Sequence, residues 1–198
     1  MCRVIAGNDP HDSTSANSPV PEFTRQLDGL NLAGLKIALP KEYFSEGVAE
    51  DIKSKILETV KELEKRGAKL IDVSLPLTEY GIATYYVVAP AEASSNLARY
   101  DGVRYGFRAN DCTDTLSVYT KSRTRGFGKE VTRRIIIGTY ALSTGYYEAY
   151  YLRAQKVRRK IKMEFDEVFT KADVIVGPTS PFSAFKIGEK VDDPLKMY

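Results

Sequence analysis

Leu35-Lys36-Ile37-Ala38-Leu39 is a short apolar run stopped by Pro40, and Lys69-Leu70-Ile71-Asp72-Val73 is a second, ending before Pro76. Runs of this length and composition, punctuated by proline, read as strands. Between them Val48, Ile52, Ile56, Val60 and Leu63 recur at three- and four-residue steps, the spacing of one helix face. Ser45 is placed to cap the start of that helix and Gly67 to end it. Strand, helix and strand predict a βαβ unit over residues 35–75, with parallel strands joined by a right-handed crossover. The unit sets the class as α/β.

Upstream, residues 7–34 are rich in Gly, Asn, Asp, Ser and Pro, and residues 1–34 read as an extended polar connection. Downstream, residues 78–171 form a helical region. A helix over Thr78 to Leu97 is expected to break near Pro90, because proline lacks a backbone donor and clashes with the preceding turn. A second helix is expected over Lys129 to Ser143 and a third over Tyr146 to Lys171. The third carries a core stripe of Tyr150, Ala154, Val157, Ile161, Phe165 and Val168. Over 173–198, Asp173-Val174-Ile175-Val176 reads as a buried strand that leaves through the loop Gly177-Pro178-Thr179-Ser180-Pro181. Residues 35–198 thus read as one partial domain.

The 198 residues are 43% hydrophobic and 28% charged, enough for a soluble domain with its own core. A net charge of +3 is too small and too evenly spread to predict nucleic-acid binding, and the basic run Arg153 to Lys162 reads as a solvated helix face. Cys2 and Cys112 lie far apart and form neither a disulfide framework nor a metal-ligand spacing. That usage points to a reduced compartment. With no apolar run of membrane-spanning length and no signal-peptide core after Met1-Cys2-Arg3, the expected location is cytoplasmic, without membrane association.

The common catalytic motifs are absent: no Gly-x-Ser-x-Gly elbow, phosphate-binding loop, dinucleotide fingerprint or His-Glu-x-x-His pair occurs. His11, the only histidine, sits in a polar segment with no sequence partner. The stretch from Ala91 to Gly106 mixes small, aromatic and cationic residues and reads either as site lining or as a tight helix contact followed by an Asp-Gly turn. Its Ser94-Ser95 pair lacks an adjacent base and reads as structural. Tyr85-Tyr86 and Arg133-Arg134 carry a different chemistry: a guanidinium can hold a carboxylate in bidentate fashion while a phenol adds a directional hydrogen bond. A core tyrosine and a solvated arginine are the alternative reading.

Ala89-Pro90-Ala91-Glu92-Ala93-Ser94-Ser95-Asn96-Leu97-Ala98-Arg99-Tyr100-Asp101-Gly102-Val103-Arg104-Tyr105-Gly106 resembles a segment of the amidase signature family, in its glutamyl-tRNA(Gln) amidotransferase branch. Ala6-Gly7-Asn8-Asp9-Pro10, Leu39-Pro40-Lys41-Glu42-Tyr43-Phe44, Gly126-Phe127-Gly128-Lys129-Glu130-Val131 and Gly138-Thr139-Tyr140-Ala141-Leu142-Ser143 extend the resemblance. Gly145-Tyr146-Tyr147, Ala154-Gln155-Lys156-Val157-Arg158 and Ala184 to Lys190 carry it almost to the end.

The resemblance implies part of the amidase signature fold, with helices packed on the faces of a mixed sheet. It implies a glutamine-hydrolysing subunit that supplies ammonia for converting Glu-tRNA(Gln) to Gln-tRNA(Gln). Its partners would be the B and C subunits, with tRNA bound mainly on the partner side. ATP and magnesium would be used by that partner, and no cofactor bound by this chain. The family's serine nucleophile, bridging serine and lysine base have no counterpart here, because the resemblance places their segments before Met1. At Asp192-Asp193-Pro194-Leu195-Lys196-Met197-Tyr198 the family continues into further strands and an acidic residue that holds the substrate amine. The chain therefore reads as an interior piece, inactive alone. Of the family's glutamine-binding residues, Tyr85 and Arg134 fall on matching positions, each beside an identical neighbour. The other readings are a non-catalytic interaction module, a complementing half of a split amidase, and an amidase for a different amide. The segment Asn96 to Gly106 argues against the last.

Overall fold

The computed structural model describes residues 1–25, 27, 29 and 31–189; the expected continuation over Asp192 to Tyr198 lies outside them. The chain divides into two units, one of residues 1–38, 46–71 and 172 onward, the other of 39–45 and 72–171.

The first unit opens with a single helical turn, α1 (Cys2–Ile5), in place of the expected extended connection. Exposed turns come next, held by local bonds such as the Asn8 amide to the Ser15 carbonyl (3.2 Å). Strand β1 (Lys36–Pro40) and strand β2 (Lys69–Val73) fall within a residue of their expected limits. In the three-stranded sheet of the described residues β1 is central, between β2 and β3 (Val174–Ile175). The pairing of β1 with β3 is parallel, Ile37 facing Val174 and Ala38 facing Ile175. Ile37 and Ala38 are fully buried, as a central parallel strand requires. Val174, expected to be buried, is 38% exposed, because β3 is the outer strand of this sheet.

Helix α2 (Glu50–Lys65) joins β1 and β2. Ser45 does not cap it. A 3₁₀ turn (Lys41–Phe44) ends at Ser45, and the helix starts later, with Ala49 at the N-cap and Glu50 and Asp51 in the first turn favouring its positive end. Ala49 offers no capping side chain; its own N–H donates to the Pro181 carbonyl (2.8 Å). Gly67 does end the helix. At φ +102° it lets its N–H reach the Glu64 carbonyl (2.9 Å) and the Ala68 N–H reach the Leu63 carbonyl (3.2 Å), the paired bonds of a Schellman cap. Val60 is buried, and Ile52, Ile56 and Leu63 line an apolar groove of about 230 Å³ with Val176.

The second unit is helical. A 3₁₀ turn (Pro76–Tyr80) leads into α3 (Gly81–Leu97), which runs unbroken through Pro90. The expected interruption fails because the missing backbone bond is offset by packing. Pro90 is among the most completely buried side chains, and a side chain at Gly138 on α5 (Lys129–Leu142) would overlap its carbonyl. Helix α4 (Thr115–Gly126) has no counterpart among the expected elements. Its composition is weakly helical, and a capping box carries its start: Asp114 accepts from the Ser117 N–H (2.7 Å) while Ser117 Oγ accepts from the Asp114 N–H (3.0 Å). Arg123 on α4 donates to the Leu97 and Tyr100 carbonyls (2.9 and 3.0 Å), satisfying the end of α3.

The last long helix begins later than expected. Residues Glu148–Leu152 form a π turn, closed by the Leu152 N–H on the Tyr147 carbonyl (2.9 Å), before α6 (Arg153–Phe169). The stripe holds from Ala154 to Val168, and Tyr150, 45% exposed, lines a cleft beside α3 together with Ala154 and Val157. The basic run from Arg153 to Lys162 is solvated, with Arg153, Lys156, Arg158, Arg159, Lys160 and Lys162 exposed.

Candidate functional site

Gly138 sets the site's geometry. Without a side chain at this position α5 approaches α3 at Pro90 and Ser94, closer than any Cβ would permit. Glu130, Arg134 and Gly138 follow one another at four-residue steps and share a face of α5. The close crossing at Gly138 therefore carries Arg134 toward α3, where Tyr85 stands. Arg134 Nη1 donates to Tyr85 Oη at 2.9 Å, and the guanidinium carbon lies 5.8 Å from the Tyr85 ring centre.

The identical neighbours are separated by these contacts. The Arg134 side chain is 23% exposed and Arg133 64%, and only Arg134 bonds to Tyr85. Tyr85 presents its hydroxyl to the guanidinium, while Tyr86 sits edge-on to the Tyr85 ring with centroids 5.4 Å apart. Sequence reasoning missed Glu130. Its Oε1 accepts from Arg134 Nε (3.0 Å) and its Oε2 from Arg133 Nη1 (3.1 Å). The signal is in the spacing, a glutamate three and four residues before two arginines.

A guanidinium fixed by a carboxylate on one side and a phenol on another is equipped to bind a carboxylate. It is not equipped to break a bond, since binding groups alone provide neither a nucleophile nor a base. Ser94 is buried and donates to the Ala91 carbonyl (2.9 Å), and Ser95 is exposed. The stretch from Ala91 to Gly106 is a helix contact followed by a turn. Buried Asp101 accepts from the Val103 and Arg104 N–H groups (2.8 and 3.1 Å), and those bonds hold its carboxyl below the usual range. Gly102, at φ +79°, lies so close to Ser122 that a side chain would meet its Oγ at 2.5 Å. His11 is exposed, and Cys2 and Cys112 are free thiols. Among the described residues no group of three His, Cys, Asp or Glu is placed to hold a metal ion, and no helix is long and apolar enough to cross a membrane.

The family profile described as Amidase matches residues 1–198. The A subunit of the glutamyl-tRNA(Gln) amidotransferase of Persephonella marina is 56% identical over all 198 residues, and that of Myxococcus xanthus 54%. The chain spans 41% and 40% of those two proteins, about two fifths of their length. The crystal structure of the Thermotoga maritima counterpart, also the A subunit of a glutamyl-tRNA(Gln) amidotransferase, superposes with a TM-score of 0.60 at 41% identity, covering 96% of this chain and 36% of that one. A bacterial aryl acylamidase of the amidase signature family, 18% identical with a TM-score of 0.56, shares the fold over 91% of this chain and 35% of its own. The α/β arrangement of a parallel sheet and many helices is that of the amidase signature fold, and the chain belongs to the amidase family.

Proposed function

We propose that these 198 residues form the substrate-positioning part of a glutamine-hydrolysing amidase subunit, one that supplies ammonia for converting Glu-tRNA(Gln) to Gln-tRNA(Gln). The observation that carries this reading is the 56% identity, over the whole chain, to a protein named for that amidotransferase. The bond between Arg134 and Tyr85 supports the assignment of these two residues to the carboxylate of the bound amino acid. Residues 1–34 act as an extended polar connection. The partners are the B and C subunits, and tRNA and ATP with magnesium are handled on the partner side. The location is the cytoplasm.

By itself the chain is inactive. Its sequence contains no Gly/Ser-rich nucleophile segment, and a bound amide without nucleophile, base and oxyanion donors has no route to an acyl-enzyme. Purified chain incubated with L-glutamine is expected to release no ammonia above a buffer control. Ammonia release that survives Arg134→Ala would overturn both the inactivity and the role of Arg134.

A further inference from the structure

We infer that Glu130 is the positioning residue of this site: its carboxylate holds the Arg134 guanidinium in the orientation that meets Tyr85. The inference rests on the reading of Tyr85 and Arg134 as a carboxylate-binding pair. Glu130 lies in the first turn of α5, where the helix dipole favours its negative charge. Each oxygen takes one arginine, Oε1 the Nε of Arg134 and Oε2 the Nη1 of Arg133. The two arginines are not equivalent, for Arg133 points mainly to solvent while Arg134 is largely covered and bonded to Tyr85.

Bonds at Nε and Nη1 fix the plane of a group whose stem has several rotatable bonds. A guanidinium already held loses less freedom when it takes a ligand.

The test uses the whole chain labelled with ¹⁵N-arginine. The Arg134 Nε–H resonance, assigned by its loss in Arg134→Lys, is followed alone and during titration with L-glutamine. In the wild-type chain that proton exchanges slowly with water and shifts on adding L-glutamine. In Glu130→Gln the resonance moves to the position of solvated arginines and L-glutamine binds about tenfold more weakly. Helix content and melting temperature match those of Glu167→Gln, which removes the i,i+4 pair between Glu167 of α6 and Lys171 just beyond its end. Glu130→Asp keeps the charge but withdraws it by one methylene, and moves both readouts in the same direction; it carries the test if Glu130→Gln loses helicity. A wild-type Arg134 resonance in both Glu130 variants, or affinities within about twofold of wild type, overturns the inference. A wild-type resonance indifferent to L-glutamine overturns the carboxylate-binding reading instead, and the Nε–H signal still decides whether Glu130 holds Arg134.

Discussion

Helix α2 and the α3–α5 pair bury helical surface in opposite ways. On α2 the face is built from side chains: Val60 is buried, and Ile52, Ile56 and Leu63 stand on its apolar side. Between α3 and α5 it is built from the lack of one, with Gly138 seated on the Pro90 carbonyl and Ser94. A side-chain contact can relax when a methyl is removed, because neighbours move into part of the space. A backbone contact has nothing to yield. The first arrangement tolerates change by degrees; the second also sets the distance across which Arg134 reaches Tyr85.

The sharpest way to break this contrast is Gly138→Val. Its side chain would collide with the backbone of α3, so we expect a loss of about 3 kcal/mol or more in urea unfolding, together with loss of L-glutamine binding. A variant of near wild-type stability would mean that the crossing can open, and the contrast would fail. Val60→Ala should cost less, about 2 kcal/mol for a buried valine trimmed to a methyl. A larger loss than that of Gly138→Val would reverse the ranking.

The smallest effect concerns a polar contact in the helical unit. Glu42 accepts from Ser74 Oγ (2.5 Å) and from the Leu75 N–H (2.8 Å). Partial burial alone would raise its carboxyl, but these bonds outweigh burial and hold it below the ordinary value of 4.5. A depressed carboxylate stabilises the fold fully above its unfolded value, and the contribution fades as pH falls through 4.5 toward the native value. Acid unfolding of Glu42→Gln should accordingly show a shallower pH dependence in that range, with little change at neutral pH. An unaltered acid limb would mean that Glu42 contributes nothing to it.

The sheet unit is legible in the sequence because its signals are local. Apolar runs ended by proline mark β1 and β2, and a three-and-four spacing closed by Gly67 marks α2. Ser45 misleads because the intervening 3₁₀ turn delays the helix, and a serine four positions too early cannot reach its first N–H groups. In the helical unit the decisive facts are not local. Whether Pro90 breaks a helix depends on Gly138, and whether Arg134 meets Tyr85 depends on the same glycine. No short window of sequence contains both partners. Helix α4 is hidden for another reason, since its one strong signal is the Asp114 and Ser117 cap rather than an apolar period. Tyr85 and Arg134 stand out by chemistry and by resemblance, whereas Glu130 needs the observed hydrogen bonds.

The π turn at Glu148–Leu152 sets the phase between the tyrosine-rich segment before it and the helix after it. Tyr146 and Tyr150 gather around Tyr140, with centroids 4.3 and 6.0 Å from it, and a hydrogen bond with Tyr146 that favours the protonated phenol, then burial and the mutual charge of the cluster, push the Tyr140 hydroxyl up to about 12. After the turn, α6 presents Ala154 and Val168 inward. Deleting one residue from the turn would restore an ordinary helix while rotating the tyrosines against α6 by roughly 100°. The turn is thus a single-residue insertion across which Tyr150 within it and Ala154 and Val157 after it face the same cleft beside α3, in what the sequence presents as one helix.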